Sequence, residues 1–267
     1  MADINPSPFV VLIPARMDSS RLPGKALADI AGIPMVVRVA NQARQSAAGH
    51  VAICTDSPEI ADVARSHGHD VVMTREDHAS GTERLGEAVQ QLQLPDDSIV
   101  VNVQGDEPEM PPALINALAE RLAADAFYPM ATAAHPVQSA EDWLNPNVVK
   151  VIGDHDNRAL LFSRAPIPWH RAHFGQPLAG MAGQDGLAQA FNEARPLRHI
   201  GIYAYRAGFL AHYAGLSPCR LEQIEALEQL RVLFHGYPIK LLITDQAPPA
   251  GVDTPEDLAA VRQRLAG

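Results

Sequence analysis

Cysteine is scarce in this chain. Of 267 residues only two are cysteines, Cys54 and Cys219, and they form neither a CxxC pair nor a zinc-ligand spacing. A disulfide framework is therefore excluded. A chain of this length can bury a sizeable hydrophobic core without covalent or metal cross-links.

Long apolar runs are also missing. No stretch approaches the ~20 consecutive apolar residues that a membrane-spanning helix needs. The first residues, MADINPSPFVVLIPAR, lack the basic segment and long apolar segment of a secretory signal. We therefore expect a cytoplasmic protein that is not inserted in a membrane.

Positive charge is in short supply. Lysine and arginine together number 21 against 31 acidic residues, which gives a net charge of −10. A field of this sign disfavours non-specific binding to nucleic acid or to an anionic membrane surface, so we expect neither as a partner. Only three of the cations are lysines. One of them, Lys25, lies in a cation-rich loop, residues 15–25.

Strand-like and helix-like patterns alternate in the first half of the chain. Short β-branched runs predict buried strands, and apolar residues at helical spacing predict the helices between them. The predicted strands are 9–13, 51–54, 70–74 and 98–103, and the predicted helices are 33–46, 58–67, 82–94 and 111–123. This alternation favours a mainly parallel, doubly wound α/β sheet flanked by helices.

The second half is less regular. It has four predicted strands, 148–152, 159–162, 200–205 and 239–244, some of them plausibly antiparallel. A helix over 221–234 is predicted from a stripe that we expect to be buried: Leu221, Ile224, Leu227, Leu230 and Phe234. A last helix begins at Pro255 with Thr254 as its N-cap. Between 169 and 195 we find no periodicity and predict a mobile excursion.

Residues 15–25 follow the first buried strand and concentrate positive charge. The loop contains three cations, Arg16, Arg21 and Lys25, and one acid, Asp18, so its local charge is +2. Gly24 allows the backbone to approach a ligand. These features predict a triphosphate-binding loop, although a solvated surface loop has the same composition. The loop is neither a Walker A motif nor a GxGxxG dinucleotide motif.

Acidic residues mark two further loops at predicted strand ends. Asp106 and Glu107 lie in Gln-Gly-Asp-Glu-Pro, and Asp253 lies in Gly-Val-Asp-Thr-Pro. Carboxylates at a sheet edge can bind a hard cation that bridges to phosphate oxygens. The alternatives are an ordinary turn for Asp106 and a helix-capping position for Asp253. In open α/β sheets these loops meet at one edge.

Histidines at metal-like spacing occur twice, at His67/His69 and at His170/His173. Histidines in loops are more often solvated than metal-bound, so we predict no zinc at either place. A GxSxG nucleophile motif is also absent.

The motifs together resemble those of a known family. Residues 12–16 with 21–25, 77–84, 103–108 and 251–255 resemble, in this order, the CMP-Kdo synthetases among the sugar nucleotidyltransferases. Further matching segments are 145–147, 162–164, 167–169, 198–203 and 227–231. The segment from about 175 to 194 diverges from the family pattern, which leaves the lid over the sugar site undefined.

The resemblance implies a Rossmann-like nucleotidyltransferase fold with a smaller mixed subdomain for sugar binding and dimerisation. The whole chain, 1–267, would be one nucleotidyltransferase domain. Within it, about 9–125 would form the nucleotide-binding half, about 126–240 the sugar-binding and dimerisation part, and 241–267 a return to the main sheet. A cytoplasmic homodimer is the implied assembly.

The implied reaction joins CTP to 3-deoxy-D-manno-octulosonate (Kdo) with Mg²⁺, giving CMP-Kdo for lipopolysaccharide synthesis and releasing pyrophosphate. Arg16, Lys25, Asp106 and Asp253 would be catalytic, with Asp106 and Asp253 as the metal ligands and Arg21 on the triphosphate. The resemblance places Asp77, Ser80 and Arg84 near the cytosine. It places six residues in the Kdo site: Gln104, Arg164, His199, Tyr203, Glu228 and Gln229.

Two other functions stay open at this point. A CMP-sialic acid synthetase or another sugar nucleotidyltransferase would share the cationic loop and the metal chemistry. A non-catalytic nucleotide-binding regulator would share the fold, although it would not need both Asp106 and Asp253. Pyrophosphate release with CTP, Mg²⁺ and Kdo distinguishes the three.

Overall fold

The computed structural model describes residues 9–19, 21–173 and 184–265. The chain folds into two compact units. Unit 1 comprises Met1–Ala131, Ile202–Gly215 and Pro248–Gly267, and unit 2 comprises Thr132–Gly201 and Leu216–Ala247.

Strands and helices alternate along the chain. The strands are β1 Val10–Ala15, β2 Asp29–Ile30, β3 Ile33–Pro34, β4 His50–Thr55, β5 Asp70–Met73, β6 Ile99–Asn102, β7 Met130–Pro136, β8 Lys150–Gly153, β9 Ala159–Ser163, β10 Leu197–Arg206 and β11 Ile239–Ile243. The helices are α1 Met35–Ala43, α2 Pro58–Ser66, α3 Gly81–Gln91, α4 Pro112–Ala123, α5 Ala140–Leu144, α6 Gln184–Ala194, α7 Ala207–Tyr213, α8 Arg220–Glu225, α9 Gln229–Phe234 and α10 Pro255–Leu265.

Unit 1 is built on a parallel sheet. Strand β1 lies between β4 and β6 and pairs with both in parallel, and β5 extends the sheet beside β4. The end of β10 pairs with β6 in the antiparallel direction. Val11, Leu12 and Ile13 of β1 are fully buried, as expected for a strand covered on both faces. The predicted mainly parallel α/β fold is confirmed.

The start of the first predicted helix was wrong by two residues. Ile33 and Pro34 pair with Asp29 and Ile30 as a small hairpin, and α1 begins at Met35. Ala31 and Gly32 turn this hairpin with positive φ angles of 48° and 81°. Two successive residues of this kind make the tight turn that suits twisted strands. Pro34 is extended and ends the hairpin instead of beginning the helix.

Unit 2 has an antiparallel arrangement. Strands β8 and β9 form a hairpin, β8 also pairs with β10, and β11, β7 and β10 lie side by side. Helix α6 lies within the segment for which we predicted no regular structure, so that prediction was wrong for residues 184–194. Its residues Ala190 and Phe191 pack in a cluster around Trp143. Residues 174–183 of the predicted excursion lie outside the described residues.

The single helix predicted over 221–234 was also wrong. Two short helices, α8 and α9, stand there instead, because Ala226 adopts a left-handed conformation with φ of 50°. Because of this break, only part of the predicted apolar stripe is buried. Leu227 and Leu230 are buried as predicted, whereas three other members of the stripe are exposed: Leu221 at 42%, Ile224 at 68% and Phe234 at 68%.

In the described part of the chain, each helix is too short or too polar to cross a membrane.

Candidate active site

The cationic loop is shaped by Gly24. This residue has φ of 68°, a left-handed value that glycine adopts without strain, and it precedes a 3₁₀ turn at Lys25–Leu27. The amide of Gly24 donates to the carbonyl of Met17 at 3.3 Å, and the amide of Lys25 donates to that of Leu22 at 3.1 Å. The loop therefore folds back on itself and fixes the start of the Lys25 side chain.

The loop after β6 lies directly against the end of β1. A Cβ on Gly105 would lie 2.7 Å from the carbonyl oxygen of Pro14, so only glycine allows this approach. The amide of Glu107 donates to the carbonyl of Gln104 at 3.1 Å and closes a turn. The turn predicted as an alternative is therefore present, and it presents Asp106 at the same edge as the cationic loop.

The third loop is bonded to the second. The amide of Val252 donates to the carbonyl of Asp106 at 2.8 Å, and Val252 is buried in a cluster with Ile30 and Met35. A Cβ on Gly251 would lie 2.8 Å from a carboxylate oxygen of Glu107. Asp253 follows next in the chain. The two acidic motifs, far apart in sequence, are thus held side by side by their own backbones.

Four of the predicted site residues meet in one charge cluster. Lys25 Nζ lies 2.6 Å from Asp106 Oδ2 and 3.2 Å from Asp253 Oδ1. Arg21 Nη2 lies 2.9 Å from the same Asp253 oxygen. The Lys25 side chain is only 16% exposed, whereas that of Arg21 is 64% exposed. The two carboxylates therefore converge on a shared cation, with a second cation at the rim.

The acidic pair also sets the protonation of Lys25. Burial alone would lower the pKa of this amine, but the charges and hydrogen bonds of Asp106, with a smaller contribution from Asp253, outweigh it. The pKa of Lys25 is raised above its ordinary value of 10.5 as a result. Lys25 is a permanent cation at neutral pH.

The donor set fits a hard divalent cation. Mg²⁺ is bound in proteins by one or two carboxylates together with substrate phosphates and water. Asp106 and Asp253 supply two carboxylates, and the cationic Lys25 nitrogen already lies within 3.2 Å of both. The geometry of the acidic pair thus accepts positive charge between its members.

Arg16 lies directly after β1 and is exposed. Since β1 and β6 are parallel neighbours, the residues that follow them share one edge of the unit 1 sheet. Arg16 is therefore placed on the same edge as Asp106, as the sequence predicted.

The three residues predicted near a cytosine have local contacts in unit 1. Asp77 is exposed and pairs with Arg75 at 3.1 Å. The hydroxyl of Ser80 accepts from the amide of Glu83 at 3.2 Å and caps α3. Arg84 is buried at 3% exposure and also donates to Thr74.

Arg84 has a partner that the sequence reasoning missed. Its Nη2 lies 3.2 Å from Asp56 Oδ2, which makes a nearly buried ion pair. Asp56 follows β4, so it is an acid at the carboxyl end of a parallel strand, the same signal that singled out Asp106. Its position after a strand could therefore have identified Asp56 as a candidate site residue. The sequence around it, 55–58, also fits a helix cap, and Asp56 was assigned to that cap.

Two of the predicted sugar-site residues belong to unit 1. Gln104 is half-buried and begins the turn that presents Asp106. Tyr203 is opposite Asn102 in the β10–β6 pairing, and its ring lies 6.0 Å from that of Tyr205. The side-chain amide of Asn102 is buried, and neither its Nδ2 nor its Oδ1 has a hydrogen-bond partner among the described residues.

Arg164 lies in unit 2, just after β9. Its guanidinium donates to three backbone carbonyls: Glu225 at 2.7 Å, Pro146 at 3.0 Å and Ala226 at 3.5 Å. Its own amide donates to the Glu225 carboxylate at 2.9 Å. Arg164 is therefore oriented by the end of α8. Because a guanidinium has five N–H donors, these three bonds do not exhaust it.

The other unit 2 candidates lie on β10 and α9. His199 Nε2 lies 2.9 Å from the Thr132 hydroxyl, and the His199 ring meets Phe162 edge to face. Burial lowers the pKa of His199 to about 3, so it is neutral at physiological pH. Glu228 is exposed at the start of α9. Gln229 is buried, and its Nε2 has no hydrogen-bond partner in the described part of the chain.

A family model described as cytidylyltransferase matches residues 10–241. The chain belongs to the cytidylyltransferase family. The matched region contains Arg16, Lys25 and Asp106, and it ends shortly before Asp253.

Curated relatives are similar to this cytidylyltransferase over almost their whole length. A 3-deoxy-manno-octulosonate cytidylyltransferase of Acidovorax sp. (strain JS42) is 53% identical over 261 residues, covering 98% of each chain. The protein of the same name from Neisseria meningitidis serogroup B (strain MC58) is 56% identical over 254 residues, covering 95% of this chain and 96% of the relative.

Solved structures agree with the fold. A structure described as CMP:2-keto-3-deoxy-manno-octonic acid synthetase complexed with CTP has a TM-score of 0.84 and 39% identity, covering 97% of this cytidylyltransferase and 99% of that chain. A 4-diphosphocytidyl-2C-methyl-D-erythritol synthase has a TM-score of 0.60 at 15% identity, covering 97% and 98% of the two chains. Because its sequence identity is only 15%, the similarity to this synthase shows a shared fold alone.

Proposed function

We propose that this cytidylyltransferase transfers CMP from CTP to Kdo, giving CMP-Kdo and pyrophosphate. The observation that carries the proposal is the Asp106–Asp253 pair that converges on the Lys25 amine at the edge of a parallel sheet. Paired carboxylates beside fixed cations suit phosphoryl transfer, in which positioning and charge neutralisation supply most of the rate. CMP-Kdo would serve as the donor for lipopolysaccharide synthesis.

The relatives support the choice of both substrates. Proteins named 3-deoxy-manno-octulosonate cytidylyltransferase are 53% to 56% identical to this chain over nearly its full length. The similar CMP:2-keto-3-deoxy-manno-octonic acid synthetase is described as bound to CTP. These relatives favour Kdo over a sialic acid and an enzyme over a non-catalytic regulator, so neither alternative is retained as a second candidate.

Three cations are assigned to the triphosphate. Arg16 and Lys25, with Arg21 at the rim, bind the phosphate oxygens and stabilise the negative charge of the leaving pyrophosphate. The raised pKa of Lys25 supports this role, because the amine stays charged throughout the neutral range. In the free protein Lys25 and Arg21 neutralise Asp253, so the phosphates and the carboxylates compete for the same cations.

Asp106 and Asp253 are assigned to Mg²⁺. When bound, the ion neutralises phosphate charge and lowers the pKa of the attacking hydroxyl. The backbones that carry the two side chains are fixed, because the amide of Val252 donates to the carbonyl of Asp106 at 2.8 Å and Asp257 accepts from the amide of Asp253 at 3.0 Å. Preorganised ligands of this kind need little rearrangement during the reaction.

In the proposed reaction the anomeric hydroxyl of Kdo attacks the α-phosphorus in line. A new bond forms between the sugar oxygen and phosphorus, the bond to pyrophosphate breaks, and the hydroxyl proton leaves to solvent. The chain needs no covalent intermediate for this step. Its contribution is to hold the two substrates in line and to balance the developing charge.

Two further groups of residues would bind the cytosine and the sugar. Asp77, Ser80 and Arg84 are assigned to the cytosine, and Gln104, Arg164, His199, Tyr203, Glu228 and Gln229 to Kdo. Arg164 is the cation proposed for the sugar carboxylate, since a guanidinium can bind a carboxylate through two hydrogen bonds. The buried Nε2 of Gln229 supports a ligand role, because it has no hydrogen-bond partner among the described residues and such groups are rare unless something pairs with them.

We propose a homodimer that acts in the cytoplasm, where CTP is available. The exposed apolar side chains of Leu221, Ile224 and Phe234 support self-association through unit 2.

The proposal is tested by pyrophosphate release from the purified protein. CTP, Mg²⁺ and Kdo should release pyrophosphate, and UTP, ATP or GTP in place of CTP should release far less. N-acetylneuraminate in place of Kdo separates the sialic acid reaction. Release with N-acetylneuraminate but not with Kdo would overturn the choice of sugar, and no release with either would overturn the enzymatic function.

A further inference from the structure

Three side chains that suit a metal ion meet in unit 2, outside the residues assigned to the proposed reaction. His170 and His173 are three residues apart in sequence, and Glu193 belongs to α6. One ligand atom from each lies within 4.8 Å of the others. Among the residues that the structure describes, this is the one group of three or more His, Cys, Asp or Glu side chains that meets this criterion.

The contacts within this His-His-Glu cluster are specific. His170 Nε2 lies 2.8 Å from Glu193 Oε2, and the rings of His170 and His173 have their centroids 4.6 Å apart. The other Glu193 oxygen accepts from Gln189 Nε2 at 2.9 Å. One carboxylate oxygen is therefore oriented by its own helix, while the other faces the histidines. Supporting hydrogen bonds of this kind orient metal ligands in proteins.

A single side chain anchors both segments that supply the ligands. Trp143 Nε1 donates to the carbonyl of Ile167 at 3.1 Å, three residues before His170. The Trp143 ring also lies 6.3 Å from that of Phe191, two residues before Glu193, within the cluster around Ala190. Trp143 is fully buried. The two ligand segments are thus fixed by a common core residue.

The composition of the cluster suits a cation. Glu193 supplies a carboxylate, and His170 and His173 supply two imidazoles. His170 is mostly buried, and its Nδ1 has no hydrogen-bond partner among the described residues. A carboxylate beside two imidazoles has the composition of a three-ligand zinc site.

We propose that His170, His173 and Glu193 bind a divalent transition-metal ion of the zinc class. This reverses the prediction made from the spacing of the two histidines alone, because the folded chain adds Glu193 as a third ligand. Two imidazole nitrogens and a carboxylate suit zinc, whereas Mg²⁺ prefers oxygen ligands alone. The ion joins α6 to the segment that contains the histidines and keeps a further position for water. This inference is independent of the proposed reaction, because it assigns none of the catalytic residues.

The inference is tested by titrating the metal-free, full-length protein with Zn²⁺ against a chromophoric chelator. The wild-type protein should bind one equivalent that outcompetes the chelator. His170→Gln, His173→Gln and Glu193→Gln should each weaken this binding by at least about tenfold, the lower end of losses known for metal-site substitutions. Zn²⁺ should also raise the melting temperature of the wild-type protein and not that of the three variants.

His155→Gln is the matched control. His155 pairs with Asp156 at 3.2 Å, and among the described residues this pair belongs to no group of three metal-ligating side chains. Its substitution should leave Zn²⁺ binding unchanged. Melting curves without Zn²⁺ establish that each variant is folded. Absence of competitive binding by the wild-type protein, or equal loss in His155→Gln and the cluster variants, would overturn the inference.

Discussion

Lys25 Nζ lies 2.6 Å from Asp106 Oδ2, although 81 residues separate the two in sequence. Their contact depends on three loops that follow buried strands or precede a helix. The two acidic loops are bonded through the amide of Val252 and the carbonyl of Asp106, and the cationic loop is closed by its own backbone bonds. Gly105 and Gly251 allow the close packing around this contact, since a Cβ on Gly105 would lie 2.7 Å from the carbonyl oxygen of Pro14 and a Cβ on Gly251 would lie 2.8 Å from a carboxylate oxygen of Glu107. The charge pair is therefore a product of the fold and not of local sequence.

Asp106→Asn and Asp253→Asn should each lower turnover by about 10²-fold or more, because a preorganised negative charge is lost while the shape is kept. Steady-state kinetics over a range of Mg²⁺ concentrations measures this effect. Glu109→Gln is the control, since Glu109 is a nearby acid whose carboxylate pairs with Arg264. Normal Mg²⁺-dependent turnover in both Asp variants would contradict the metal assignment.

Arg16→Ala should impair use of CTP without unfolding the protein, because Arg16 is exposed on a loop. We expect a higher KM for CTP, a lower kcat or both, at a nearly unchanged melting temperature. Arg65→Ala, which removes a surface arginine paired with Asp62, serves as the control. Unchanged kinetics combined with a large fall in melting temperature would instead make Arg16 a structural residue.

Arg164→Ala should raise the KM for Kdo far more than the KM for CTP. Loss of a desolvated charge pair predicts a lower kcat/KM for Kdo. The decrease should correspond to about 2–5 kcal/mol of lost transition-state stabilisation. The melting temperature should fall too, because three carbonyls lose their donor. Arg158→Ala, which removes an arginine paired with Asp154, is the control for charge alone.

Equal effects on both substrates, or no effect on either, would contradict the assignment of Arg164 to the sugar carboxylate. A fall in melting temperature without a change in KM would leave Arg164 only the structural role that its carbonyl contacts describe.

His199 should make folding sensitive to acid. Its pKa is lowered to about 3 in the folded protein, whereas an unfolded histidine titrates near its ordinary value of 6.5. Between these values the unfolded chain binds more protons, so stability falls as the pH falls from about 6.5 towards 3. Above pH 6.5 this contribution is constant. Denaturant unfolding at pH 7 and pH 5 measures it.

His199→Gln keeps a polar group near Thr132 and does not titrate. It should lose less stability than the wild-type protein between pH 7 and pH 5, by at most about 2 kcal/mol. An identical loss in the two proteins would show that His199 does not remain neutral in the fold.

Sedimentation should show a dimer at micromolar concentration. Phe234→Asp replaces one of the three exposed apolar side chains, Leu221, Ile224 and Phe234, with a charged one, and it should shift the protein towards the monomer. Phe127→Asp is the control, because Phe127 is similarly exposed, at 67%, in unit 1. A wild-type monomer of 28.7 kDa would contradict the proposed assembly.

The parallel sheet could be predicted from the sequence because its strands are short β-branched runs buried on both faces, as in β1 and β6. Elements that depend on one backbone conformation could not. Nothing in the sequence around Ala226 signals its left-handed φ, yet that angle divides one predicted helix into two. Helix α6 was missed because its stability comes from packing on Trp143, which is distant in sequence.

The candidate site divides in the same way. Arg21, Lys25, Asp106 and Asp253 follow from motifs at strand ends and helix starts, which parallel topology brings to one edge. The ion pair of Arg84 with Asp56 and the carbonyl contacts of Arg164 are long-range packing relationships. They require the folded chain, since neither partner signals the other in sequence.

The central claim is that this chain joins CMP to Kdo. It is tested most directly by following the reaction of CTP with Kdo by ³¹P NMR in the presence of Mg²⁺. The account predicts that CTP is consumed while pyrophosphate and a sugar-linked phosphodiester appear in a 1:1 ratio, with neither formed when Kdo is omitted. Consumption of CTP to CMP without a phosphodiester, or no consumption at all, would contradict it.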